Sequence, residues 1–337
     1  MLQAQLVSLG RIELKEVPEP EPGDDEIVIK VETALTCGTD LKAYLRGHSL
    51  IPMPGPFGHE YSGVVIKRGS RVKNFKEGDE VMGVHSAPCL DCSYCKRGIY
   101  NLCENIMERK VLGAYGEQLL IPSPVVRQNL FKKPEHIGFE RAALLEPLAC
   151  VVHPYSQLDM TGVETALIIG AGPIGLLHAS YLKSLGVHTI IADINPERLE
   201  IARGFAHRAV KPEIIQEVKE EQTSGMGFDL VVECTGIVDV WQQAETYLRR
   251  GGVLMLFGGC KRGSRVCYST DRLHYDEIKL VGSFHFSPSD VKRSYELLIN
   301  EELELDGIIT GEFSLDSITE AFELLKAGRG IKYAIRP

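Results

Sequence analysis

Two hydrophobic rhythms divide this chain. Up to about residue 130, apolar positions come in short β-branched runs cut by glycine and proline. Ile27-Val28-Ile29-Lys30-Val31 follows the turn-rich Pro22-Gly23-Asp24-Asp25, and Tyr61 to Ile66 repeats the pattern. Asn74 to Gly78 gives a turn before a further strand at Val81, and Ala114 to Ile121 gives another. Such runs predict a β-rich region. Phe139 to Val152 is rich in Ala and Leu and predicts a helical bridge interrupted at Pro147.

Beyond that bridge the rhythm changes. Thr165-Ala166-Leu167-Ile168-Ile169 is a continuous apolar run, followed by Gly170-Ala171-Gly172-Pro173-Ile174-Gly175 and then Leu176 to Leu182 at helical spacing. A second strand, His188 to Ala192, ends at Asp193; further strands are expected at Phe228–Cys234, Gly252–Phe257 and Ile278–Phe284, with a helix over Asp239–Arg249. Apolar strands alternating with helices predict a parallel, doubly wound sheet. Helices over Asp290–Asn300 and Asp316–Ala327, a strand at Ile308–Phe313 and a tail at Tyr333–Arg336 complete the chain. No internal repeat or low-complexity linker interrupts it.

The glycine turn is the first candidate for chemistry. Strand, glycine turn, helix, strand and acid, in that order, form a dinucleotide site: glycines let the backbone approach a pyrophosphate and the helix N-terminus attracts its charge. Gly170, Gly172, Pro173, Ile174 and Gly175 form the turn, and Asp193 stands where an acid accepts from ribose hydroxyls and repels a 2′-phosphate, so NAD is expected over NADP. Arg198 lies close in sequence and could instead meet a phosphate. Thr235, Gly258 and Phe284 fall at or beside strand ends and are candidate neighbours of the nicotinamide, though strand-end Gly and Thr are also ordinary turn residues.

Of the 9 cysteines, four crowd together as Cys89, Cys92, Cys95 and Cys103. Four thiolates at this spacing close a tetrahedral zinc site with no open position, a structural rather than catalytic centre; an iron–sulfur cluster is the other chemistry that uses four cysteines. A second set combines thiolate, imidazole and carboxylate: Cys37 in Thr36-Cys37-Gly38-Thr39-Asp40, His59 and Glu60 in Gly58-His59-Glu60, and Glu146 in Leu145-Glu146-Pro147-Leu148. These are zinc-ligand types. Cys150 is a rival ligand one helical turn after Glu146, and His48 and His153 lie near in sequence.

These motifs together, over nearly the whole chain, resemble the zinc-dependent medium-chain alcohol dehydrogenases, in the branch of the sorbitol (polyol) and L-threonine dehydrogenases. The resemblance implies an α/β chain: a GroES-like β-rich catalytic domain over 1–147 and 289–337, and a Rossmann NAD-binding domain over 148–288. It implies a catalytic zinc on Cys37, His59 and Glu146, with Glu60 on or next to the metal, and a structural zinc on the four-cysteine lobe. Zinc would lower the pKa of an alcohol, hydride would pass to the nicotinamide, and Thr39 would relay the proton. Arg198 would flank the adenine. The implied substrate is a secondary alcohol of a polyol, sugar or cyclitol. Two alternatives remain: an L-threonine 3-dehydrogenase, which Cys37-Gly38-Thr39-Asp40 favours, and a zinc-free dinucleotide-binding relative without activity. Two positions depart from the family's pattern. Lys42 stands where relatives often carry a relay histidine, which leaves ribose hydroxyls, water or His48 as the proton's exit. His285 stands where polyol dehydrogenases often carry an arginine for a substrate hydroxyl.

Bulk properties narrow the setting. Across 337 residues, hydrophobic residues make up 44% and charged residues 25%, an ordinary globular composition. With 46 acidic and 37 basic residues the net charge is −9, which gives no reason to expect nucleic acid or an anionic membrane as partner. No basic start with a long apolar run opens the chain, and the expected location is cytoplasmic. Relatives assemble as dimers or tetramers, and a homo-oligomer, preferably a tetramer, is the corresponding expectation.

Overall fold

The strand Ile27–Leu35 is the spine of the first half of the molecule. It alternates little because both faces are covered, and seven of its nine residues are buried. In the computed structural model, which describes residues 1–108 and 110–337, this strand pairs antiparallel with Glu60–Arg68 on one edge. Gln118–Ile121 and Lys332–Arg336 share the other edge. The sheet runs in the order Ile309–Ser314, Lys332–Arg336, Ile27–Leu35, Glu60–Arg68, Glu80–Gly83, Leu130–Lys132. A smaller sheet of Arg11–Glu16, Leu2–Ser8 and Gly55–Pro56 accompanies it. Between them lies an aromatic cluster. Phe57 packs edge-on against Tyr115 at 4.8 Å between ring centroids, and against Phe322 at 5.5 Å. Each such ring, if truncated to alanine, would cost about 3–5 kcal/mol.

Two compact units emerge. The first comprises Met1–Cys150, His285–Glu301 and Ile309–Pro337; the second comprises Val151–Phe284 and Glu302–Ile308. The short piece 302–308 therefore packs with the second unit, where Ser180 Oγ donates to the Glu304 carbonyl at 2.7 Å. The sequence reading places it instead in the 289–337 part of the catalytic domain.

The second unit is built on a six-stranded parallel sheet in the order Arg208–Val210, His188–Ala192, Thr165–Ile169, Phe228–Glu233, Leu248–Leu256, Lys279–Gly282. The central strands are buried along nearly their whole length, as expected where helices cover both faces. Strand order reverses between Thr165–Ile169 and Phe228–Glu233, which opens a crevice at their C-terminal ends.

Three differences between local structure and the sequence reading bear on the sites. The bridge breaks at Leu144, which caps Phe139–Ala143, and a second helix, Leu145–Tyr155, runs on through Pro147. Proline in a first turn loses no hydrogen bond, because those amides have no intrahelical acceptor. The helix expected over Asp239–Arg249 shortens to Val238–Gln243 and a 3-10 turn, and the next strand begins at Leu248. A helix not anticipated at all, Gly38–Arg46, starts directly after Cys37. Among the described residues no helix is long and apolar enough to cross a membrane.

Candidate active site and metal centres

Strand register brings the first donor group together. Leu35 pairs with Glu60 across one edge and with Ala334 across the other. The chain leaving Leu35 therefore delivers Cys37 beside the start of the Glu60 strand and beside Lys332. Tyr333 N donates to Thr36 Oγ1 at 2.9 Å, and Thr36 N to the Tyr333 carbonyl at 2.9 Å, which fixes that corner. Cys37 caps the helix Gly38–Arg46, its Sγ accepting from Thr39 N at 3.4 Å. Gly58 turns the chain into His59 at φ +87°, under the Tyr115 ring, where a Cβ would lie 2.7 Å from Tyr115 Cδ2. Only glycine satisfies both demands.

The donor atoms of Cys37, His59 and Glu60 all lie within 4.8 Å of one another. His59 Nδ1 faces Asp40 Oδ1 at 3.4 Å, so its other ring nitrogen is the one left for a metal. Asp40, wholly buried, receives the Tyr115 hydroxyl at 2.9 Å. Glu60 Oε2 accepts from Lys332 Nζ, which also donates to the Thr36 carbonyl at 2.7 Å. Glu60 Oε1 is buried with no hydrogen-bond partner among the described residues. A buried carboxylate oxygen without a partner is costly, and a cation at the Cys37–His59 donors would satisfy it. Sulfur, imidazole and carboxylate with such an orphan acceptor fit zinc.

The electrostatics agree with a donor group suited to a cation. Burial pushes Glu60 up to about 7, with Glu146 adding to the rise and Lys332 pulling against it. Burial would lower His59, but Asp40 and the Cys37 thiolate raise it well above its usual value.

Glu146 stands apart from this triplet. Its Oε1 lies 3.0 Å from His85 Nδ1, off the direction of an ideal hydrogen bond, and 3.7 Å from Cys150 Sγ. Burial would raise Glu146, but the adjoining His85 holds it down at about 2, while burial keeps His85 itself below its usual value. Of the two glutamates, Glu60 thus lies with Cys37 and His59, and Glu146 with His85. The rival Cys150 is half-buried, and desolvation, with Glu146, pushes its thiol well above the ordinary range, which disfavours it as a thiolate donor. His153 contacts Gln157 and is not among the grouped donors.

His85 and Lys332 were not singled out by sequence reasoning. His85 packs edge-on against His59 at 5.2 Å and against His285 at 5.0 Å. His285 bonds to Ser86 Oγ through Nε2 at 2.7 Å and stacks on Phe286 at 4.0 Å. Its backbone sits at φ +66°, uncommon for a residue with a side chain.

Cys89, Cys92, Cys95 and Cys103 form the second donor group, again within 4.8 Å. Asp91 N and Cys92 N point at Cys89 Sγ, at 3.5 and 3.3 Å, and Cys89 N points at Cys103 Sγ at 3.3 Å. Those amides draw the Cys89 thiol down to about 6, whereas burial and the neighbouring sulfurs push Cys95 up to about 12. Four crowded sulfurs cannot all ionise without a cation. The lobe's own apolar cluster adds only Ile106, Tyr100 and Met107 to the cysteines. A metal on the four sulfurs would supply order that so small a cluster does not. Cys95→Ser is expected to reduce bound zinc from two equivalents to one per chain, by atomic absorption, and to lower the melting temperature by several degrees, about the shift that 1–2 kcal/mol produces. Unchanged zinc content would remove the lobe as a metal site.

In the second unit the glycine turn joins Thr165–Ile169 to the helix Pro173–Ser184. Gly175 approaches the Gly170 carbonyl so closely that a Cβ would lie 1.8 Å from it. Gly172 caps the helix without a side-chain hydrogen bond, and a Cβ there would meet nothing within 4 Å. Helix amides facing open space suit a phosphate. Asp193 spans the turn: Oδ2 accepts from Ala171 N at 2.7 Å and Oδ1 from Asn195 N at 2.8 Å. Arg198, on Pro196–Ala202, keeps a buried Nε with no partner among the described residues. Thr235 N donates to Glu233 Oε1 at 2.7 Å, and the Gly258 carbonyl accepts from Trp241 Nε1 at 2.8 Å. Glu233, which sequence reasoning treated as strand alone, is a buried carboxylate raised by that burial. Phe284 is half exposed.

Comparison with known proteins gives a consistent picture. Residues 23–135 match the alcohol dehydrogenase GroES-like domain, and residues 173–300 match the zinc-binding dehydrogenase domain. A sorbitol dehydrogenase of Halalkalibacterium halodurans is 31% identical, covering 97% of this chain and 96% of that protein. An L-threonine 3-dehydrogenase of Alteromonas mediterranea is 32% identical over 95% of this chain and 94% of that one. A provisionally assigned zinc-binding dehydrogenase of Sinorhizobium meliloti, with NADP bound, superposes at a TM-score of 0.89 with 28% identity, covering 100% and 99% of the two chains.

Proposed function

The chain belongs to the zinc-dependent medium-chain alcohol dehydrogenase family, and from that premise we propose that it transfers hydride between a secondary alcohol of a polyol, sugar or cyclitol and NAD. The observation that carries this reading is the buried Cys37–His59–Glu60 donor group, with its orphan Glu60 oxygen, in one chain with the glycine turn and Asp193. When bound, zinc supplies the Lewis acidity that eases an alcohol's loss of its proton, and the nicotinamide supplies the hydride acceptor. The chain's own residues do the rest. Asp40 orients His59, and Lys332 holds one oxygen of Glu60 and leaves the other for the metal. Glu146 would hold the metal as a fourth donor. Thr39, in the first turn after Cys37, carries the proton away, with water, ribose hydroxyls or His48 as its exit.

The Glu146-Pro147-Leu148 run and the sorbitol dehydrogenase relative support a polyhydroxylated substrate. L-Threonine is the second reading, favoured by Cys37-Gly38-Thr39-Asp40 and by the threonine dehydrogenase relative. The presence of every zinc donor type argues against a zinc-free relative. A cytoplasmic homo-tetramer is part of the same reading, on family resemblance. NADH formation by zinc-loaded protein against polyols, inositols, L-threonine and simple alcohols is the test. Response to polyols supports the first reading, response to L-threonine alone supports the second, and the absence of zinc from the Cys37 group would sink both.

NAD is preferred over NADP in this reading because the Asp193 carboxylate would repel a 2′-phosphate. The buried Arg198 Nε and the NADP-bound relative are the counterweight. Asp193→Ala is expected to lower the NAD-over-NADP ratio of kcat/KM by about tenfold or more, since an ionic repulsion and a hydrogen-bond acceptor vanish together. An unchanged ratio would hand cofactor choice to Arg198.

A further inference from the structure

The chain carries a net charge of −9, yet one flank of the Cys37–His59 donors is basic. His48 follows the helix that Cys37 caps, and its Nδ1 receives Leu50 N at 3.3 Å. Lys110 reaches this loop from the segment after the four cysteines and donates to the Leu50 carbonyl. The next residue, Val111, donates its backbone N–H to the His85 carbonyl at 2.7 Å, which brings the Lys110 backbone near His85, whose imidazole faces Glu146. Lys42, on the Gly38–Arg46 helix, and Lys110 both lie near enough to His48 for their charges to act on it, and Lys110 acts on His85 as well.

The acids nearby are committed elsewhere: Asp40 to His59 and Tyr115, Glu60 to Lys332, Glu146 to His85. Among the described residues no carboxylate pairs with Lys110, whose ammonium is half-buried against a single carbonyl. A half-buried cation with unused donors, at the loop that carries His48, recognises a fixed negative charge on whatever binds there.

We propose that Lys110 and Lys42, with His48, seat an anionic group of the substrate, so that this enzyme prefers a polyhydroxylated acid or phosphate to a neutral polyol. The inference rests on the dehydrogenase reading above and specifies its substrate class. A carboxylate and a phosphate share the chemistry that these cations recognise.

Calorimetric titration of zinc-loaded, NADH-saturated protein with sorbitol, gluconate and glucitol 6-phosphate tests it without requiring turnover. At least one anion should bind at least tenfold more tightly than sorbitol, and the tighter of the two identifies carboxylate or phosphate. That ratio should fall close to one in Lys110→Met, fall partly in Lys42→Met and recover in Lys110→Arg. Sorbitol binding as tightly as both anions, or no saturable binding of either, overturns the proposal. So does a Lys110→Met protein that keeps the ratio but loses NADH affinity, which would assign the lysine to the dinucleotide phosphates. Oxidation of neutral polyols, measured separately, stands or falls with the dehydrogenase reading alone.

Discussion

Cys37→Ala is expected to lower kcat by at least about 10³-fold while the dissociation constant for NADH stays within about twofold, because the Lewis-acid contribution is lost and the dinucleotide turn is untouched. The two functions are carried by different units: Cys37 belongs to the β-rich first unit, and Gly170–Gly175 with Asp193 to the second. Zinc content should fall from two equivalents to one, the remaining metal staying on the four-cysteine lobe. Stopped-flow NADH formation and fluorescence titration of NADH give the two readouts. Retained turnover would take Cys37 off the metal. Equal loss of NADH binding would mean that the substitution had disturbed the fold.

The second large effect concerns stability. Lys332 is fully buried against Glu60, and removing it strands a buried carboxylate. Lys332→Met should destabilise the zinc-free protein by about 3–5 kcal/mol, the usual cost of breaking one side of a buried ion pair. The burial that pushes Glu60 up to about 7 makes protonation its escape. Adding Glu60→Gln should therefore restore much of the loss, since no uncompensated charge is then left in the interior. Zinc should also narrow the deficit, because the metal would offset the charge that Lys332 no longer balances. Urea denaturation of the single and double variants, with and without metal, decides it. A single variant as stable as the parent would show that Glu60 is neutral in the native protein and that the pair carries no charge.

What could be read from sequence was local. The glycine turn, Asp193 and the four cysteines each fall within a few residues or one strand–turn–helix repeat, so spacing alone brings them together. Cys37, His59 and Glu60 were legible as residue types, and their meeting depends on the register of Leu35 against Glu60. The rest required long-range pairing. Lys332 reaches Glu60 across 272 positions, and no local pattern marks a lysine in a short terminal strand as a counter-ion. His85 follows a strand end and faces Glu146 only once the Leu145–Tyr155 helix is in place. Asp40 was visible beside Cys37, but its task of fixing His59 needs Tyr115 from a distant loop. The helix after Cys37 went unread because Gly38-Thr39-Asp40 has the composition of a turn, and its cap is a sulfur rather than the usual side-chain oxygen. Pro147 misled in the opposite sense, since position within the first turn decides whether proline breaks a helix.

Lys332–Arg336 lies between Ile309–Ser314 and Ile27–Leu35, and in chain order it follows the entire second unit. During synthesis the parallel sheet can therefore close while the β-rich unit still lacks an inner strand. Throughout that interval the sulfur of Cys37 and the carboxylate of Glu60 are without the lysine that later neutralises them, and one edge of Ile27–Leu35 is open. Pairings this distant in sequence form slowly and leave unpaired edges exposed. The dinucleotide-binding sheet can thus close on its own, whereas the corner that holds Cys37 and Glu60 is complete only once Lys332–Arg336 has joined its sheet.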